Sequence, residues 1–179
     1  QVLEADVAIE WLRALEESAF ELHGNYIWGS GTRVFGAMFP KEEDRSPYVR
    51  AALAVLNDGA LTPEQKAEGI REIKGFGPNI ATGLVMLYHP SDFAIFNGVS
   101  KTVVAHLGYE TATLSAFEES AAEVRSQLGA TDALEADRFF YLLSLGTYGD
   151  VFAPGSPAPT EGSAQRFVKI APGESGRFW

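Results

Sequence analysis

The tightest constraint on this chain lies at Gly75-Phe76-Gly77-Pro78, where two glycines bracket one apolar residue and a proline follows at once. Helix-like patterning stands on both sides, over 62–73 and 78–88. Glycine adopts backbone angles closed to other residues, and proline suits the first position of a helix. The segment therefore reads as a tight turn feeding straight into a helix N-terminus. There the first backbone N–H groups have no partner within the helix, and the helix dipole adds partial positive charge. Such a turn is an anion site made of backbone, needing few basic side chains. The plainer reading is an ordinary corner between helices, with Gly75 as a C-cap and Pro78 at N1.

Charge sets the next limit. The net charge of −10 opposes nucleic-acid binding at first sight, since phosphate contacts usually draw on Lys and Arg. Its distribution is uneven. Residues 1–24 carry one basic and six acidic residues, and 111–147 carry two and six. Residues 25–110 hold eight basic against nine acidic, so the glycine turn sits in the least acidic stretch. With 179 residues, 46% of them hydrophobic, the chain is long enough for one domain and a tail. The absence of cysteine rules out disulfides, zinc–thiolate sites and iron–sulfur clusters. No apolar run reaches the roughly 18 residues of a membrane span, and no signal peptide opens the chain, so no membrane association and a cytoplasmic location are expected.

Along the chain, residues 2–23 pattern as an amphipathic helix with Ala8, Leu12, Leu15, Ala19 and Leu22 on one face. Residues 25–40 combine four aromatics, three glycines and Arg33 in a loop and short helix. Ser46-Pro47 reads as a cap and first-turn proline, opening a helix to about Asn57. Thr62 and Gln65 have capping-box spacing. Phe93–Phe96 is a buried-looking link, Asn97 N-caps a helix to Leu107, Ser115 and Glu118 form another capping box, and Asp132 opens the last helix. Residues 1–149 are thus expected to be an all-α domain of about seven helices. Residues 150–164 are a Pro/Gly/Ser-rich linker, and 165–179 read as the start of a further, truncated module.

Residues 70–86 resemble the helix-hairpin-helix motif, apolar-x-Gly-apolar-Gly-x-x-x-Ala, with Ile73, Gly75, Phe76, Gly77 and Ala81 in those places. The resemblance implies contact with a DNA backbone without sequence preference. It makes Lys74, Gly75, Phe76, Gly77, Asn79, Thr82 and Lys101 the candidate DNA-binding residues. It also implies a monovalent cation on the turn's carbonyls when DNA is bound. His23, His89 and His106 are widely separated with no companion cysteine, so no metal site and no other cofactor are expected.

Residues 70–107 as a whole resemble base-excision DNA glycosylases of the helix-hairpin-helix superfamily. In that family an aspartate at the start of a later helix is catalytic, and bifunctional members carry a Schiff-base lysine two residues past the second hairpin glycine. The matching positions here are Asn97 and Asn79, 18 residues apart as the family leads one to expect. A neutral amide supplies neither the charge that steadies an oxocarbenium-like transition state nor a base, and it forms no imine. No catalytic residue is therefore assigned. The fallback acid is Asp92, five residues upstream of Asn97.

A scaffold of this kind without its catalytic groups suits a reader of modified or damaged DNA, which needs a groove contact or a flipped base in a pocket. Tyr26, Trp28, Arg33, Phe35 and Asn97 are the candidates for a base pocket or wedge, since flat aromatic faces stack on an extruded base. Trp28, Phe35 and Phe39 can equally be core. The tail Arg166–Trp179 looks like the opening of a module found in restriction proteins related to McrB-type AAA+ GTPases. That resemblance implies a specificity domain delivering DNA to a motor and nuclease in antiphage defence. The competing readings are a divergent glycosylase using Asp92 and a protein-interaction module in which the turn is only a corner.

Overall fold

The computed structural model describes residues 31–146, and every regular element within them is helical. The order is α1 (Gly31–Met38), α2 (Glu42–Leu56), α3 (Pro63–Arg71), α4 (Pro78–Tyr88), α5 (Gly98–His106), α6 (Leu114–Leu128) and α7 (Ala133–Ser144). The all-helical expectation holds for this region. The helix read over 2–23, the linker over 150–164 and the module over 165–179 lie outside the described residues. No helix among the described residues is long and apolar enough to cross a membrane.

Local chemistry explains most helix ends. The Thr62 hydroxyl accepts from the Gln65 N–H, and the Gln65 side chain accepts from the Thr62 N–H at 2.9 Å, closing the expected capping box ahead of α3. Asn97 and Asp132 cap α5 and α7 through the backbone N–H of Ser100 and Glu135, each at 2.9 Å. Gly129, at φ +67°, ends α6 in the left-handed region.

Two expected starts are corrected. α2 begins at Glu42, so Ser46 and Pro47 lie inside it. The guanidinium of Arg45 donates to the carbonyls of Phe39 and Pro40 and fixes the chain's entry there. Glu43 and Asp44 then favour the positive end of the helix. α6 is capped by Thr113, whose hydroxyl accepts from the Ala116 N–H at 3.2 Å, not by Ser115. Glu118 is thereby freed from a capping box and turns inward.

Packing places α4 at the centre. Every residue from Ile80 to Met86 is buried, the pattern of a helix covered on all sides. One apolar cluster gathers Phe35 and Phe39 of α1 and its end, Val49, Leu53 and Leu56 of α2, Ile70 of α3, Phe76 of the turn and Leu84 and Met86 of α4. A second gathers Val103 and Val104 of α5, Phe117 and Val124 of α6, and Phe140 and Leu143 of α7. The first turn of α7 joins them: Ala133 and Leu134 belong to the first cluster, and Ala133 N–H donates to Pro90 O at 2.8 Å. The link Phe93–Asn97 runs between the clusters, with Phe93 and Ile95 buried.

Candidate nucleic-acid interface

The turn between α3 and α4 is built from the inside outward. Phe76 is buried edge-on to Phe35, with ring centroids 5.3 Å apart. Phe35 tilts against Phe39 at 5.1 Å, and Phe39 stacks on Tyr48 at 4.6 Å. Gly75 lies across these rings at φ +94°. A Cβ there would sit 2.6 Å from Phe39 Cε2 and 2.9 Å from Phe35 Cδ2, so both backbone angle and space demand glycine. Phe76 N–H donates to Ile73 O at 3.0 Å and closes the turn.

Gly77 differs from Gly75 in every one of these respects. It is exposed, has ordinary angles (φ −68°, ψ 171°), and nothing would meet its Cβ within 4 Å. As N-cap of α4 it provides no side-chain acceptor, and Pro78 at N1 has no N–H. The N–H groups of Asn79 and Ile80 thus lie at the positive end of the helix dipole, uncapped by any side chain among the described residues. Lys74 is exposed beside them, its Nζ 5.5 Å from the Phe39 ring centroid.

The link after α4 is fastened to the same helix. The Thr82 hydroxyl donates to Pro78 O at 2.7 Å and accepts from Phe96 N–H at 3.1 Å. Asn97 Oδ1 accepts from Ser100 N–H at 2.9 Å, with Ser100 Oγ 3.2 Å away, and Ser100 Oγ donates to Asp137 Oδ1 at 2.6 Å. Burial raises the Asp137 carboxyl to about 6 against the opposing pull of the Ser100 hydroxyl. Lys101 Nζ stands 4.4 Å from the Phe96 ring centroid. A cleft of about 240 Å³ opens between Arg71, Pro78, Phe96, Thr113 and Leu114. It is smaller than the roughly 300 Å³ at which drug-sized pockets begin.

The candidate residues therefore separate into three groups. Lys74, Gly77 and Asn79 share one exposed surface around the start of α4, and Lys101 is half-buried on α5. Phe76, Thr82 and Phe35 are buried at 1%, 4% and 0% exposure. Phe76 and Thr82 support the turn and the link without facing solvent, and Phe35 is a core residue under Gly75. That placement corrects the reading of Phe35 as a base pocket or wedge: its ring is consumed by packing. Tyr26 and Trp28, and the side chain of Arg33, lie outside the described residues. Asn97 is half-buried, with its carboxamide oxygen committed to capping. Asp92 is exposed in the turn after α4.

Three ionisable side chains turn inward that the sequence pattern did not single out. Asp137 is one, although its place in the apolar row with Ala133, Ala136 and Phe140 was a signal of burial. Glu118 is another, raised to about 8 chiefly by burial. The third is Lys66, buried on α3, whose Nζ lies 3.0 Å from His89 Nε2. An ammonium only donates, so His89 accepts at Nε2 and is neutral. Burial and then the Lys66 charge lower its pKa, and Asp92 partly opposes them. Among the described residues no group of three His, Cys, Asp or Glu side chains could hold a metal. Comparison with protein-family models, curated proteins and solved structures gives no match.

Proposed function

We propose that this chain carries a DNA-binding domain that grips the phosphate backbone through a helix-hairpin-helix formed by α3, the 72–77 turn and α4. It would read modified or damaged bases within a larger defence, restriction or repair protein. The observation that supports this most is the division of labour between the two glycines. Gly75 is demanded by the packing beneath it, whereas nothing among the described residues demands Gly77. A bare backbone at an uncapped, exposed helix start is what close approach of a phosphate requires. Lys74 and Lys101 add charge at its margin, and a monovalent cation on the turn carbonyls would complete the contact.

Asn79 and Asn97 argue against glycosidic cleavage, because neither supplies a charge, a base or an imine-forming amine. The domain would therefore deliver DNA to catalytic modules elsewhere, an AAA+ GTPase and nuclease in the restriction version of the proposal.

The decisive variant is Gly77→Asp. An aspartate at an N-cap position serves the helix at least as well as glycine, so the fold should keep its stability within a few tenths of a kcal/mol. The same carboxylate would occupy the phosphate's place and repel it. Mobility-shift titrations with plain, methylated, hydroxymethylated and glucosylated duplexes should show binding by the wild type and loss of all of it in Gly77→Asp. Equal binding by both proteins would overturn the grip, and strand breaks after alkali treatment would overturn the non-catalytic reading.

A further inference from the structure

The link Phe93–Asn97 is held by a carboxyl group in an unusual position. Glu118, on α6, accepts the Ala94 N–H through Oε2 at 2.8 Å. Its other oxygen, Oε1, is buried with no hydrogen-bond partner among the described residues. The cavity beside it measures about 20 Å³, room for about one water and far from a hydration shell.

The charged groups near Glu118 do little to neutralise it. Arg125, two turns along α6, lines this cavity and its charge favours the carboxylate, while its guanidinium donates to the carbonyls of Pro90 and Ser91. Asp92 lines the same cavity from the turn after α4, and Glu64 on α3 adds a second negative charge. The α7 side of the cavity is Ala133, Ala136 and Phe140, without charge. A carboxylate here keeps one good donor and leaves one oxygen stranded. A neutral carboxylic acid leaves no buried charge.

We infer that Glu118 is a proton-dependent latch on the 93–97 link. With its carboxyl neutral it holds Ala94, and ionisation drives the side chain towards water and frees the link. The proton is released to solvent. Burial first, then the Glu64 charge, raise this carboxyl to about 8, against the pull of the Ala94 N–H and of Arg125. The latch therefore operates within a range that solution conditions readily cross. Opening it would loosen the approach to Phe96, Asn97 and Lys101. That functional consequence rests on the DNA-binding proposal, whereas the latch itself does not.

Amide hydrogen exchange of the whole chain, read residue by residue by NMR and corrected for intrinsic rates, tests the inference. Linkage requires protection of Ala94 to fall about tenfold per pH unit between about pH 5 and about pH 8, then level off. In Glu118→Gln, which cannot ionise, that profile should be flat, and the Ala94 amide should stay protected at high pH. A flat wild-type profile overturns the latch, as does the same slope in Glu118→Gln. If Glu118→Gln fails to fold, the Glu118 side-chain carbon shift in the wild type decides: it must titrate in step with the loss of Ala94 protection. Loss of DNA binding at all pH values with the exchange profile intact would sink the DNA-binding proposal alone.

Discussion

Gly75→Ala is the substitution whose effect the structure specifies most fully. Two independent penalties fall on the added methyl group. The backbone at φ +94° is strained for any L side chain, at about 1–2 kcal/mol. The Cβ would also stand 2.6 Å and 2.9 Å from ring atoms of Phe39 and Phe35. Those rings cannot yield cheaply. Phe35 is fully buried and Phe39 nearly so, and they are locked to Phe76 and Tyr48. Overpacking of this kind costs about 1–3 kcal/mol. The lower entropy of the unfolded alanine chain returns about 0.4–1 kcal/mol. The net loss should be about 3 kcal/mol.

Urea unfolding followed by far-UV circular dichroism measures it. With a slope of about 2 kcal/mol/M, the midpoint should drop by about 1.5 M. Gly77→Ala is the control, since its φ is ordinary and nothing lies within 4 Å of the new methyl group. Its midpoint should shift by less than about 0.5 M, corresponding to under about 1 kcal/mol. A Phe39→Leu background withdraws the ring atom at 2.6 Å but leaves Phe35 Cδ2 at 2.9 Å, so it should lower the cost of Gly75→Ala without removing the packing part. Equal shifts for the two glycines would show that the turn is set neither by its backbone angle nor by the aromatic rings beneath it.

Other outcomes follow from the same geometry. Lys74→Glu and Lys101→Glu should each weaken binding to all duplexes alike and lower the slope of log affinity against log salt by about one, read by fluorescence anisotropy. Thr82→Val keeps the shape but removes the acceptor of the half-buried Phe96 N–H, so urea unfolding should show a loss of about 1 kcal/mol. Asp137 gives a pH signature of definite sign. Its folded-state carboxyl titrates at about 6, above the ordinary value of about 3.9. Between those values the native state holds a proton that the unfolded chain has released. Stability should therefore fall as pH rises through that window, by about 3 kcal/mol in total, and level off above it. Asp137→Asn should remove this component in urea titrations at a series of pH values, leaving the slope from Glu118 that continues to about 8.

The Thr62–Gln65 capping box, the Asn97 and Asp132 caps, the terminating Gly129 and Pro78 at a helix start were legible because each rests on chemistry within four residues. Thr62 with Gln65, Asn97, Gly129 and Asp132 all act as their local sequence implies. Ser46-Pro47 misled because a good cap-and-proline pair was outweighed by contacts of Arg45 with the chain before it. The Ser115–Glu118 spacing misled for a deeper reason. A glutamate at N3 of a cap and a glutamate that reaches across to Ala94, 24 residues away, have the same local sequence. Only the packing of α6 against the link distinguishes them. Phe35 shows the same limit from the other side: an aromatic residue near glycines is equally fit to stack on a base or on Phe76, and the turn's own geometry selects the core.

The acidic balance of the chain constrains how such a grip would work. If Lys74 and Lys101 are the cations at the turn, about two counterions are released per contact, and the salt slope is about −2. Raising salt from about 50 to about 200 mM would then weaken binding only about tenfold, where a protein with six to ten phosphate contacts loses roughly a thousandfold or more. Backbone N–H groups add orientation without counterion release, so the phosphate contact alone would be weak but tolerant of salt. Useful affinity would have to come from a second, less electrostatic contact, which is the place for recognition of a modified base. Under that proposal, discrimination between modified and plain DNA should persist at high salt while total affinity declines gently. A slope steeper than about −5 would show instead that several cations other than Lys74 and Lys101 hold the DNA, and that the turn is incidental.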